Sequence, residues 1–259
     1  MRLLKEGNNV EVEPYSFGAG IPIIIAGPCS VESREQIIAI AVEAKKKGAN
    51  ILRGGIFKPR TSPYDFQGIG LEALEFMLEA KAITGMPIIT ELMDTTYLNR
   101  FVEQVDIIQI GSRNMYNYSL LKAVGETGKP VLLKRGFSAT IKEWIYAAEH
   151  IAKGGNNRII LCERGIRSFD SYTRNTLDLS AVPIMKRETG LPVVVDPSHG
   201  TGIRSLVGVM SMAAIAVGAD GLMIEAHTHP ELSISDKAQT VDMEELGEII
   251  TNMNRMISK

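Results

Sequence analysis

Short apolar runs rich in Ile and Val recur along the chain, each bounded by Gly, Pro or Asn and each followed by a longer stretch with helical periodicity. The pattern predicts strands at Ile21–Ala26, Ala49–Arg53, Pro87–Glu91, Ile107–Ile110, Pro130–Lys134, Arg158–Cys162, Pro192–Asp196 and Gly221–Glu225. Amphipathic helices are expected at Arg34–Lys47, Leu71–Thr84, Tyr118–Thr127, Ile141–Lys153, Leu177–Glu188, Ser205–Val217 and Met243–Ile257. The strands are almost continuously apolar, which fits burial of both faces under an outer layer of helices. Eight βα units in 259 residues favour closure into a (β/α)8 TIM barrel over an open doubly wound sheet. The open sheet would carry a Gly-rich dinucleotide fingerprint after its first strand, and IAGPCSVES is not one. One α/β barrel domain over residues 21–259 is therefore predicted. Residues 1–20, with Pro14, Gly18 and Gly20, form an N-terminal extension expected to be a short hairpin or a plug over the N-terminal face. This extension leaves no room for a regulatory domain.

Composition narrows the function classes. Hydrophobic residues are 45% and charged residues 22%, so a large core can form and disorder is not expected. The net charge of -2 provides no global basic field for nucleic acid or a membrane surface, so any anion binding must be local. The two cysteines, Cys29 and Cys162, have no paired spacing, and the polar amino terminus lacks a secretory or membrane-spanning run. A cytoplasmic protein is expected.

In a barrel, the C-terminal ends of the strands converge on one site. Here those ends carry GPCS, RGG, TEL, GSRN, LKRG, CERG, DPSHG and EAH, so nearly every one contributes an ionisable or metal-binding residue. One such residue would be read as a solvated charge; eight together point to a site. Arg53, Lys58, Arg60, Arg113, Lys134 and Arg164 would form an electropositive bowl that is costly without anionic guests. Phosphate and carboxylate suit a mixture of arginine forks and compact lysine charges. The Pro-rich segment KPRTSPYDFQG reads as a rigid loop projecting Lys58 and Arg60. A turn at Gly111–Asn114 would add main-chain amides beside Arg113. Cys29, His199, Glu225 and Asp236 follow strands 1, 7 and 8, which are neighbours in a closed barrel. One thiolate, one imidazole and two carboxylates suit a divalent ion such as Mn, Fe, Co or Zn. Spacing alone leaves Cys29 readable as a small buried apolar residue and His227 or His229 as competitors of His199.

Together GPCSVES, ILRGGIFKPRTSPYDFQG, GSRNMYN, LLKRGFSATIKEW, CERGIRSF, DPSHGTG and GLMIEAHTHPELSISDKAQT resemble 3-deoxy-D-arabino-heptulosonate 7-phosphate (DAHP) synthase over nearly the whole chain. The likeness is to the compact type I beta subgroup that shares ancestry with 3-deoxy-D-manno-octulosonate 8-phosphate synthase. KPRTS discriminates between them, because Pro59 and Thr61 stand where the octulosonate enzymes typically carry an Ala-Asn-Arg-Ser loop. The resemblance implies condensation of phosphoenolpyruvate with erythrose 4-phosphate, releasing phosphate, as the first step of the shikimate pathway to aromatic amino acids. It assigns Arg113, Lys134 and Arg164 to the phosphoenolpyruvate phosphate, Arg53 with Lys58 to its carboxylate, and Arg60 with Thr61 to the sugar phosphate. It makes Cys29, His199, Glu225 and Asp236 the metal ligands. Glu91 would stabilise a cationic carbon or orient water, and Lys58 would donate a proton or act electrostatically. A homo-oligomer, dimer or tetramer, and a chorismate mutase acting in trans are expectations from the family alone. The rival activities are octulosonate synthesis from arabinose 5-phosphate, a noncatalytic metabolite-binding barrel and a pyruvate aldolase.

Overall fold

The structure, a computed structural model, describes Leu4 and residues 9–258. Eight parallel strands close into a barrel in chain order, the last pairing with the first. They are β3 (Ile23–Gly27), β4 (Ile51–Arg53), β5 (Ile88–Glu91), β6 (Ile107–Ile110), β7 (Val131–Lys134), β8 (Ile159–Glu163), β9 (Val193–Val195) and β10 (Gly221–Glu225). Each falls within two residues of its expected place. The expected starts at Pro87, Pro130 and Pro192 move inward, because proline has no N–H to give a ladder. Closure brings backbones close at β3, where a Cβ on Gly27 would overlap the Arg53 carbonyl.

The helices are α1 (Arg34–Lys47), α2 (Leu71–Thr84), α3 (Leu98–Gln104), α4 (Tyr118–Gly125), α5 (Ile141–Ala152), α6 (Ala181–Thr189), α7 (Pro197–Thr201), α8 (Arg204–Ala216) and α9 (Met243–Ile257). Local chemistry sets their ends. The Ser33 side chain accepts from the Gln36 N–H at the start of α1, and Gly48 at φ 101° closes it after three lysines. Capping boxes, Thr140 with Glu143 and Asp242 with Glu245, open α5 and α9. Two helices are absent from the sequence reading. The seven residues of α3 are too few to show a period, and α7 lies inside the DPSHG motif. The stretch Leu177–Ser180, expected to be helical, is instead non-helical, with Asp178 turned to Arg135.

The barrel strands are buried on both faces, as their apolar continuity requires. One large core lies between strands and helices. A second lies inside the barrel, where Ile23, Ile25, Ile51, Ile89, Ile107, Leu132, Ile160, Val194 and Met223 meet. Two short antiparallel strands precede the barrel, β1 (Val10–Val12) and β2 (Tyr15–Phe17). Their Val10, Val12 and Phe17 side chains join that inner core, so the hairpin covers the end of the barrel where the strands begin. Residues 1–3 and 5–8 of the expected extension lie outside the described residues. No helix among the described residues is long and apolar enough to cross a membrane.

Candidate active site

The inner core fixes which side chains reach the opposite mouth of the barrel. Side chains alternate along a strand, so the residue two beyond each inward apolar one also points inward. Ile51, Ile89, Ile107, Leu132, Ile160, Val194 and Met223 are thus followed by Arg53, Glu91, Gln109, Lys134, Cys162, Asp196 and Glu225. All but Cys162 are polar. The loops after the strands add Cys29, Lys58, Arg60, Arg113, Arg164, Arg174, His199 and Asp236 around this ring.

Cys29, His199, Glu225 and Asp236 each bring one ligand atom into a group in which all four atoms lie within 4.8 Å of one another. Cys29 Sγ is 3.9 Å from His199 Nε2 and donates to Asp236 Oδ2 at 2.9 Å, while Nε2 is 3.1 Å from Glu225 Oε1. His227, the sequence competitor, is buried elsewhere against Gln36 and the His229 N–H, so neither later histidine enters the group. The helix cap of α7 explains the placement of His199. Asp196 Oδ1 accepts the His199 backbone N–H at 2.9 Å, and Oδ2 lies 2.8 Å from Nδ1. A carboxylate on Nδ1 leaves the Nε2 lone pair facing the other three groups. Asp236 reaches the cluster in a left-handed conformation, φ 55°, that Asp tolerates better than most residues. Its loop is pinned to the loop after β3 by Ser235 on Ser30 and by the Ile234 N–H on Glu32.

The charges around the cluster are matched rather than free. Burial pushes the Cys29 thiol up to about 12, with Glu225 adding to the rise and Lys58 opposing it. Burial also holds His199 below its ordinary value, hence neutral. Burial opposes ionisation of Asp196, but His199 and Lys134 hold its carboxyl well below the carboxylate range. Arg53 donates to Glu225 at 3.1 Å and Gln239 donates to its other oxygen at 2.6 Å. Arg174 donates to Asp236 Oδ1 at 3.0 Å. These ligand types, gathered with one tautomer-fixing partner, fit a divalent cation.

Two adjoining cavities open on this cluster. The first is lined by Arg53, Lys58, Glu91, Lys134 and His199 among others, and the second by Lys58, Arg60, Arg113, Lys134, Arg164 and Arg174. Lys58 Nζ donates to Cys29 Sγ at 2.7 Å, and Lys134 Nζ donates to Asp196 Oδ2 at 2.6 Å. Burial opposes the Lys58 charge, but Cys29 and Glu225 more than offset it and keep the ammonium. Arg60, Arg113 and Arg164 have no carboxylate within 4 Å among the described residues, although Arg164 is only 2% exposed. A buried guanidinium without a counter-ion is poised for an anion.

Glu91 lies against Gly111, where a Cβ would overlap its carboxylate. Its Oε2 accepts from Gln109 at 3.1 Å, while its buried Oε1 has no hydrogen-bond partner. Burial raises this carboxyl above its usual range, against the pull of Lys58 and Lys134.

The structure gathers Cys29, Arg53, Lys58, Arg60, Glu91, Arg113, Lys134, Arg164, His199, Glu225 and Asp236 at one mouth. Thr61 is exposed and lines neither cavity. Gln109, Arg174 and Gln239 were not singled out in the sequence. The alternation after Ile107 could have found Gln109, whereas Arg174 sits in an irregular loop with no such signal.

The comparisons agree with this geometry. The chain is 49% identical over 251 residues, 97% of its length and 74% of the relative's, to a phospho-2-dehydro-3-deoxyheptonate aldolase of Thermotoga maritima. The crystal structure of that DAHP synthase superposes with a TM-score of 0.94, covering 98% of this chain and 74% of that one. A truncated form of the Thermotoga maritima synthase, 45% identical, gives 0.91 and covers 98% and 93%. A 2-dehydro-3-deoxyphosphooctonate aldolase of Syntrophotalea carbinolica is 32% identical over 95% of both chains. The model of the DAHP synthetase I family matches residues 8–259, so the chain belongs to the DAHP synthetase I family.

Proposed function

We propose that the protein condenses phosphoenolpyruvate with erythrose 4-phosphate and water to give 3-deoxy-D-arabino-heptulosonate 7-phosphate and phosphate. The observation that carries this reading is the pairing of two basic cavities with one Cys-His-Glu-Asp cluster on their shared wall. Arg113, Lys134 and Arg164 hold the phosphate of phosphoenolpyruvate, and Arg53 with Lys58 faces its carboxylate. Arg60, which lines the second cavity, takes the sugar phosphate, and Thr61 would reach it only from the exposed rim. Cys29, His199, Glu225 and Asp236 hold the metal, and their mixed thiolate, imidazole and carboxylate character suits Mn, Fe, Co or Zn better than Mg. When bound there, a divalent ion supplies Lewis acidity toward the aldehyde oxygen.

The chain's own residues supply the rest. Positive charges on both phosphates orient the enol carbon toward the aldehyde carbon and offset repulsion between two anions. As the new carbon–carbon bond forms, the aldehyde oxygen gains negative charge, and the Lys58 ammonium is placed to give it a proton. The carbon bearing the phosphate becomes cationic. The free oxygen of Glu91 stabilises that carbon or orients the water that adds to it and takes a proton from that water; phosphate then leaves by carbon–oxygen cleavage, carrying the proton of the new hydroxyl as the ketone forms. Family resemblance supports a cytoplasmic homo-oligomer, dimer or tetramer, with any chorismate mutase acting in trans.

Phosphate release from phosphoenolpyruvate, measured with erythrose 4-phosphate and with arabinose 5-phosphate, tests the reading. We expect the four-carbon sugar to be turned over faster, and the reverse preference would overturn the assignment. Chelator-stripped protein is expected to be inactive and to recover with Mn, Fe, Co or Zn; full activity after stringent stripping would remove the metal from the scheme.

A further inference from the structure

Phe137 follows β7, between the strands whose ends carry Arg113 and Arg164. Its half-buried ring lies under three guanidinium groups: Arg164 at 4.7 Å, Arg167 at 5.1 Å and Arg113 at 5.2 Å from the centroid. The loop is also tied by its backbone, since the Arg167 N–H donates to the Phe137 carbonyl at 2.6 Å. None of the three arginines meets a carboxylate within 4 Å among the described residues. Three like charges around one ring repel one another, and the negative face of an aromatic ring offsets part of that repulsion for each. The ring also restricts long side chains that would otherwise search many rotamers before meeting an anion.

We propose that Phe137 is a positioning residue that gathers Arg113, Arg164 and Arg167 into one three-guanidinium cradle for the phosphate of phosphoenolpyruvate. The proposal rests on the function given above and adds two residues to it. Phe137 touches no reacting atom; it acts through the arginines. Arg167, exposed at the rim, meets the incoming phosphate, and Arg113 and Arg164 hold it inside the cavity.

Metal-loaded protein carrying Phe137→Leu, Phe137→Tyr or Arg167→Ala would be assayed for steady-state turnover and for direct binding of phosphoenolpyruvate by calorimetry. Phe137→Leu should raise KM and Kd for phosphoenolpyruvate about tenfold, with the effect on KM rather than kcat and no matching change in KM for the sugar. Phe137→Tyr keeps the ring and should restore most of the lost affinity. Arg167→Ala should weaken phosphoenolpyruvate binding roughly threefold, more at low salt than at high. Native affinity in Phe137→Leu, or equal weakening in the Tyr variant, overturns this proposal alone. Native protein that binds no phosphoenolpyruvate overturns the proposal and the assigned reaction together.

Discussion

The Asp196 carboxylate touches both halves of the site, with one oxygen shared between Lys134 and His199. Replacing it by an amide keeps the shape but lets the side chain donate to Nδ1, which would move the imidazole proton to Nε2 and turn it on the metal cluster. Asp196→Asn should therefore lower metal affinity by about 10- to 100-fold, a typical loss for such partners, read by competition with a chromophoric chelator. Unchanged affinity would show that the Nδ1 contact does not set the tautomer. Cys29 adds a pH dependence. Its thiol, held near 12 by burial with help from Glu225, is protonated at neutral pH, so metal binding through Sγ must release a proton. Affinity should rise about tenfold per unit between pH 6 and 8. His199 adds no slope at the upper end, because burial keeps it neutral there. A flat profile would exclude Sγ from the coordination set.

At the scale of elements, short tight features carry the site as much as the strands do. Gly111, directly after β6, is the floor on which the Glu91 carboxylate rests. A methyl group there displaces the carboxylate, so Gly111→Ala should lower kcat by at least tenfold while leaving metal affinity intact, a split that titration and turnover together would reveal. Much at this scale was legible in the sequence, because burial on both faces of strands such as β3 and β9 imposes apolar runs and helix ends carry Gly or capping residues. The cluster ligands were also visible as residues at strand ends, although spacing could not separate His199 from His227. Other features were illegible for physical reasons. Lys134 and Asp196 meet from β7 and β9 across an intervening strand, and no local pattern records a contact through the barrel interior. The Arg174–Asp236 pair joins two irregular loops 62 residues apart. The seven residues of α3 pass too quickly for a helical period to show.

The whole molecule divides its labour between the two ends of the barrel, as barrel enzymes generally do. Where the strands begin, Phe17 of the hairpin is fully buried in the inner core. Phe17→Ala should cost about 3–5 kcal/mol, seen as a lower thermal midpoint, while both KM values stay put. Where the strands end, stability and function oppose each other. Among the described residues, buried Arg164 has only the Gly165 carbonyl as a polar partner, and burial depresses its pKa, the sign of a charge held at a cost. Methionine has similar length and no charge to desolvate. Arg164→Met should abolish phosphoenolpyruvate binding and stabilise the substrate-free fold by about 1–4 kcal/mol, as replacement of buried charges by apolar side chains often does. At this chain length each kcal/mol moves the thermal midpoint by roughly 2–4 °C, so scanning calorimetry would resolve the gain. Phosphoenolpyruvate should then raise the midpoint of the native protein but not of the variant. A variant less stable than the native protein without substrate would mean that Arg164 serves the fold, and the unpaired charges at this mouth would need another explanation.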